Sequence, residues 1–295
     1  MCSRIAVALV GLHGLVGDFR ASAVPVYFGS GCFWGRQHDF VEDFERTALR
    51  RADGDVTAVG GYAGSARAGA DGTVCYENPL NHSVYTDLGH AEVVQVDVPL
   101  NAAFGAFDLF YRSFIQLDDG IWAREDFFDV GPAYRAMVGL PGGLQRGAPE
   151  LLEALHSANL HNMTLREGRG SDEDTLGKNL VFVMDSDQFG FHQAELCLQF
   201  RNNQTGNYPA SYHALKTTLE AAGRLRHTGC PGNYVCNSTL AALETTSAIP
   251  HWRRFRPWMC YRSELARAQP AAWGPMRPIL VELEFGASSN GGIPA

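Results

Sequence analysis

The sequence predicts an α+β protein built as a two-layer sandwich. Three observations carry this. An apolar run, Val24–Phe28, is followed by an amphipathic stretch, Trp34–Arg51, with Phe40, Val41, Phe44 and Leu49 on one side. Two further strand-like runs, Val56–Gly61 and the alternating Glu92–Val98, come next. A strongly apolar helical segment, Phe104–Ile115, then closes a strand–helix–strand, strand–helix series, which packs as helices on a sheet.

Each element follows from its local pattern. Val24–Phe28 is short, apolar and bounded by glycine, as a buried strand is. The run Gly60-Gly61-Tyr62-Ala63-Gly64 ends the second strand, and residues 65–88 read as a long loop. Residues 116–147 read mostly as loop, with the acidic-aromatic segment Glu125–Asp129 and the turn Leu140-Pro141-Gly142-Gly143. A helix is expected over 149–158, a strand over Leu180–Asp185, and a partly helical segment over 189–223. The expected sheet is mixed or antiparallel, with a ferredoxin-like core, long loops and an irregular C-terminal tail. Residues 1–23 read as a possible signal or targeting segment, 24–223 as the catalytic domain, and 224–295 as a C-terminal extension.

The chain has 295 residues, 45% of them apolar and 19% charged, with a formal charge of −8. That is enough apolar sequence for a sizeable core. No Lys/Arg run stands out, which argues against nucleic acid as the main partner. Seven cysteines stand at 2, 32, 75, 197, 230, 236 and 260, none in C-x-x-C spacing, so no metal site is expected. Arg4, the apolar run Ile5–Val16 and Ala21-Ser22-Ala23 have the layout of an export signal. That run is too short for a membrane span. The sequons at Asn81, Asn162, Asn203 and Asn237 are compatible with export, so the compartment stays open between export or an organelle and the cytoplasm.

The chemistry centres on Gly31-Cys32-Phe33-Trp34-Gly35. The flanking glycines let the backbone bend at a strand-to-helix turn. A cysteine there lies near the unsatisfied N–H groups of the helix start, which favour a thiolate. Phe33 and Trp34 offer an apolar wall for a small hydrophobic group of a substrate.

Four blocks, in order, resemble the peptide methionine sulfoxide reductase A family. They are Gly31-Cys32-Phe33-Trp34-Gly35, Gly61-Tyr62-Ala63-Gly64, Gly89-His90-Ala91-Glu92-Val93-Val94, and Asp129-Val130-Gly131-Pro132-Ala133-Tyr134-Arg135. A weaker match at Ala194-Glu195 extends the resemblance to roughly residues 24–200. The resemblance implies thiol-dependent reduction of methionine S-sulfoxide, peptide-bound or free. Cys32 would be the nucleophile, Phe33 and Trp34 the methyl pocket, and Tyr62 and Tyr134 hydrogen-bond donors to the sulfoxide oxygen, with Asp129 bracing the pocket. It also implies a Cys32 sulfenic acid converted to a disulfide by a second cysteine, then recycled by thioredoxin or a similar dithiol, with no bound cofactor. The proton donor is expected in the segment Val74–His82, at Glu77 or alternatively His82, and Glu92 and His90 are expected to be structural. The resolving thiol is open between Cys230, Cys236 and Cys75, and Cys230 with Cys236 could instead form a structural disulfide; Cys197 and Cys260 are expected to be packing residues. The implied partners are oxidised proteins or free methionine sulfoxide and a thioredoxin-like reductant, with the chain a monomer. Two further readings stand beside this: a catalytically weak relative that binds oxidised methionine or another ligand, and a thiol hydrolase. The altered segment between the second and third blocks favours the former, and no Cys-His-Asn/Asp arrangement is legible for the latter.

Overall fold

The computed structural model describes residues 23–201 and 208–232. In chain order the elements are β1 (Ala23–Gly29), α1 (Phe33–Asp39) with a π-helical continuation over Phe40–Ala48, β2 (Val59–Ala63), β3 (Ala91–Pro99) and α2 (Ala103–Tyr111). Then come β4 (Phe114–Gln116), β5 (Trp122–Arg124), β6 (Met137–Leu140), α3 (Gly143–Arg146), α4 (Pro149–Ala158), β7 (Thr164–Glu167), β8 (Leu180–Asp185), β9 (His192–Gln193), α5 (Ala210–His213) and α6 (Leu215–Ala221). Residues 1–22, and with them most of the possible leader, lie outside the described residues, as does the extension beyond residue 232.

One mixed sheet of seven strands organises the chain, in the order β7-β8-β6-β1-β3-β2-β9. Its centre, β6-β1-β3-β2, is antiparallel throughout. Helix α1 links β1 to β2 and α2 lies between β3 and β6, which is the βαββαβ path of a ferredoxin-like core. Strands β8 and β7 extend it in parallel, each beside its neighbour. A separate hairpin pairs β4 with β5.

Side-chain alternation divides the core. Val26 and Phe28 of β1, Val94, Val96 and Val98 of β3, Val138 and Leu140 of β6, and Val181 and Val183 of β8 all join the larger cluster, with Phe40, Phe44, Phe107, Phe110 and Leu155. Tyr27, Val93, Met137, Phe182 and Met184 point to the other face, in a smaller cluster against Phe189 and Phe191. Truncating a side chain such as the fully buried Phe28 to alanine costs about 3–5 kcal/mol. Register at the centre is held by size as well as by hydrogen bonds. Gly139 lies opposite Tyr27, and a Cβ on it would stand 1.9 Å from the tyrosine ring.

The sequence missed β5, β6, β7 and β9, placing β5 and β6 in a loop. β6 is four residues long and buried on both faces, so it shows no alternation, and it starts only two residues after the Asp129–Arg135 block. The segment expected as one helix to Ile115 ends at Tyr111, and Phe114–Gln116 forms β4 instead.

Candidate active site

The β1–α1 turn creates the site. Gly31 has φ +80°, a left-handed conformation that glycine adopts at no steric cost, and its amide donates to the Tyr134 carbonyl at 3.1 Å. A Cβ at Gly31 would sit 2.4 Å from Asp126 Oδ2, so glycine also makes room for that carboxylate. Cys32 caps the start of α1 and is buried, and its sulfur is in no disulfide. Its amide donates to Asp126 Oδ2 at 2.7 Å.

The carboxyl that meets the Cys32 side chain is Glu92. It hydrogen-bonds Cys32, accepts from the Phe33 amide at 3.0 Å through Oε2, and accepts from the Tyr85 hydroxyl at 3.0 Å through Oε1. Burial pushes its pKa up to about 7, the three hydrogen bonds pull it back, and the neighbouring Asp126 charge adds to the rise. Near neutral pH this carboxyl therefore holds a proton for part of the time, poised for general acid work.

Around this pair lies an aromatic wall. Phe33 meets Tyr62 edge-on at 6.1 Å and Trp34 at 6.3 Å. The Trp34 indole N–H donates to the Leu198 carbonyl at 2.9 Å. Tyr62 donates to Glu195 Oε2 at 2.9 Å, and its full burial, with the Glu195 charge beside it, holds its hydroxyl well above the usual phenol range. Tyr134 is nearly buried beside Gly31. Asp129 is buried, and its carbonyl accepts from Arg124, whose guanidinium also reaches the Asp126 carbonyl and Asp174. Arg124 thus holds the loop that carries Asp126 together and ties it to Asp174.

The structure brings Cys32, Phe33, Trp34, Tyr62, Tyr134 and Asp129 into one neighbourhood around the β1–α1 turn. It sets Glu77 half-exposed in the 65–88 loop and His82 exposed, with Glu92 as the carboxyl hydrogen-bonded to Cys32. The sequence carried a usable signal for Glu92. Positions 92, 94, 96 and 98 share one face of β3, and three of them are core valines, so the fourth is an acid on a core-facing position. Asp126 and Tyr85 are the other site residues the sequence reading passed over. Both come from loops, where no periodicity points to a face. His90 braces the 65–88 loop through the Arg67 carbonyl at 2.6 Å, and burial pushes its pKa down to about 4, leaving it neutral.

Of the resolving candidates, Cys75 and Cys230 are joined to each other by a disulfide, and Cys236 lies outside the described residues. Cys197 is disulfide-bonded and not a plain packing thiol; Cys260 also lies outside the described residues.

A buried cysteine at a helix start, beside a carboxyl of raised pKa and an aromatic wall, makes a candidate thiol-nucleophile site on an α+β sandwich. The chain matches no protein-family profile. It is 35% identical over 129 residues to the peptide methionine sulfoxide reductase MsrA of Methanothermobacter thermautotrophicus, a match covering 41% of this chain and 60% of that relative. The chain thus spans less than two thirds of the length of the curated relative it matches. A solved structure, methionine sulfoxide reductase A of Corynebacterium diphtheriae, aligns with TM-score 0.36 and 14% identity over 65% of this chain and 80% of that one. Over the 129 matched residues the chain is similar to a peptide methionine sulfoxide reductase A. Among the described residues no helix is long and apolar enough to cross a membrane.

Proposed function

We propose that this protein reduces methionine S-sulfoxide, peptide-bound or free, through Cys32. The observation that carries the reading is the hydrogen bond between Cys32 and a buried glutamic acid whose pKa is pushed up to about 7. Sulfoxide reduction needs both partners at once: a sulfur nucleophile and a proton for the oxygen. The Cys32 sulfur attacks the sulfoxide sulfur, and its thiol proton passes by way of Glu92 to the sulfoxide oxygen. That oxygen ends on Cys32 as a sulfenic acid and methionine leaves. The substrate sulfur gains two electrons and Cys32 loses two. Tyr62, Tyr85 and Tyr134 are the nearby hydroxyl-bearing side chains, and Phe33 and Trp34 supply apolar surface for the methyl group.

Two external thiols, as in a thioredoxin-like dithiol, return the sulfenic acid to the thiol and release water. A second cysteine of this chain can take the first of those roles when it is reduced. We assign the acid to Glu92 in place of Glu77. On this reading Glu92 of β3 takes the proton-donor role expected of the 74–82 segment, which answers the altered segment that favours the weak-relative reading. Turnover of methionine S-sulfoxide with dithiothreitol tests the assignment. Glu92→Gln should lose roughly 10²-fold or more in kcat, and Glu77→Gln should stay within about twofold. The opposite pattern returns the acid role to Glu77.

A further inference from the structure

We propose that Cys75–Cys230 is a second redox centre, opened by external dithiols, in which Glu195 protonates the Cys75 sulfur as it leaves. This deepens the reductase reading, yet its chemistry can be tested with no sulfoxide present.

The two sulfurs differ in surroundings. Cys75 is fully buried and Cys230 half-buried, so an incoming thiolate reaches Cys230. Cys75 must then leave as a thiolate inside the protein, where an uncompensated charge is costly. Its surroundings are built to receive that charge. The Ser83 hydroxyl lies 3.7 Å from its sulfur and the Asn78 amide 4.0 Å, and Asn78 also donates to Ser83 at 2.8 Å. All three residues are buried. A Glu195 carboxyl oxygen and both sulfurs lie within 4.8 Å of one another.

Glu195 is fixed for this task. Its Oε1 accepts from the Tyr76 amide at 2.8 Å and its Oε2 from the Tyr62 hydroxyl at 2.9 Å. Burial raises its pKa and those hydrogen bonds oppose the rise. Glu195 faces the Tyr62 hydroxyl and the two disulfide sulfurs, Tyr76 contributes its amide, and Tyr85 and Glu92 stand behind Tyr62.

The step balances as follows. A reductant thiolate bonds to Cys230 Sγ, the S–S bond breaks, and Cys75 takes the electron pair and the Glu195 proton. The reductant's second thiol then displaces Cys230, leaving the reductant as its own disulfide. The proton given up by the attacking thiol restores Glu195. The dithiol is oxidised by two electrons and the protein disulfide is reduced.

The test is native-state reduction by dithiothreitol, followed by peptide-resolved alkylation of Cys75 and Cys230. In the wild type the rate per reductant thiolate should fall as pH rises from about 4 through the raised Glu195 pKa, because the proton on Glu195 is lost. Glu195→Gln should flatten that profile and slow reduction at its acid end by roughly 10²-fold. A flat wild-type profile overturns the proposal, whether or not the variant folds. So does wild-type speed in Glu195→Gln, or a disulfide reduced only after unfolding. None of these outcomes bears on sulfoxide turnover at Cys32.

Discussion

Tyr62 and Tyr85 stack with ring centroids 4.5 Å apart and planes 20° from parallel, and their hydroxyls go to different carboxyls. Tyr85 donates to Glu92, which touches Cys32, and Tyr62 donates to Glu195, which lies beside Cys75–Cys230. Two acid–tyrosine pairs are thereby held back to back, one beside Cys32 and one beside the Cys75–Cys230 disulfide.

Glu92 titration should set the pH profile of turnover. The acid role needs the protonated form, which is lost as pH rises through about 7. We expect kcat to fall across that region in the wild type and the fall to be missing from the residual activity of Glu92→Gln. Steady-state kinetics across neutral pH, with the reductant's own ionisation corrected, checks this.

Asp126 tunes that inflexion, because its charge raises the Glu92 pKa. Asp126→Asn removes the charge while leaving an oxygen for the Cys32 amide. The alkaline fall in kcat should move to lower pH. An unmoved inflexion would show that Asp126 positions the turn without acting on Glu92.

The same buried acid makes stability depend on pH. The folded state holds the Glu92 proton up to about 7, whereas an unfolded glutamate releases it near 4.5. Between those values the folded state binds more protons, so stability falls as pH rises, by about 3 kcal/mol from this one group. Glu92→Gln should remove that part of the slope. Urea titrations at the two ends of the window compare the variants.

Gly139→Ala should be strongly destabilising, by about 3 kcal/mol or more, because its methyl group meets the Tyr27 ring in the middle of the sheet. Gly31→Ala should also destabilise, by about 1–3 kcal/mol from its left-handed backbone alone. It should cost activity as well, since the new Cβ displaces Asp126. Thermal unfolding and turnover separate the two effects.

The fold was legible where periodicity was strong. β1, β3, β8 and α4 stand within one or two residues of their expected spans, since their apolar residues recur at strand or helix spacing or, in β8, form an unbroken apolar run long enough to read as a buried strand. β6 was not, because a short strand buried on both faces has no alternation to read. At the site, Cys32 and its aromatic neighbours announce themselves through one contiguous motif. Glu92 was visible as an acid on the core face of β3 but was read as structural. Asp126, Tyr85 and the joining of Cys75 to Cys230 depend on how long loops fold back. Cys75 and Cys230 are 155 residues apart in sequence, a pairing no local pattern encodes.

The central claim is that Cys32 carries the reaction, and one single-turnover measurement tests it. Protein freed of external thiols is mixed with methionine S-sulfoxide, and the methionine formed per chain is counted while Cys32 is probed with a sulfenic-acid-specific label. The account predicts stoichiometric methionine with labelled Cys32 in the wild type, and none in Cys32→Ser. Undiminished methionine formation by a folded Cys32→Ser protein would contradict it.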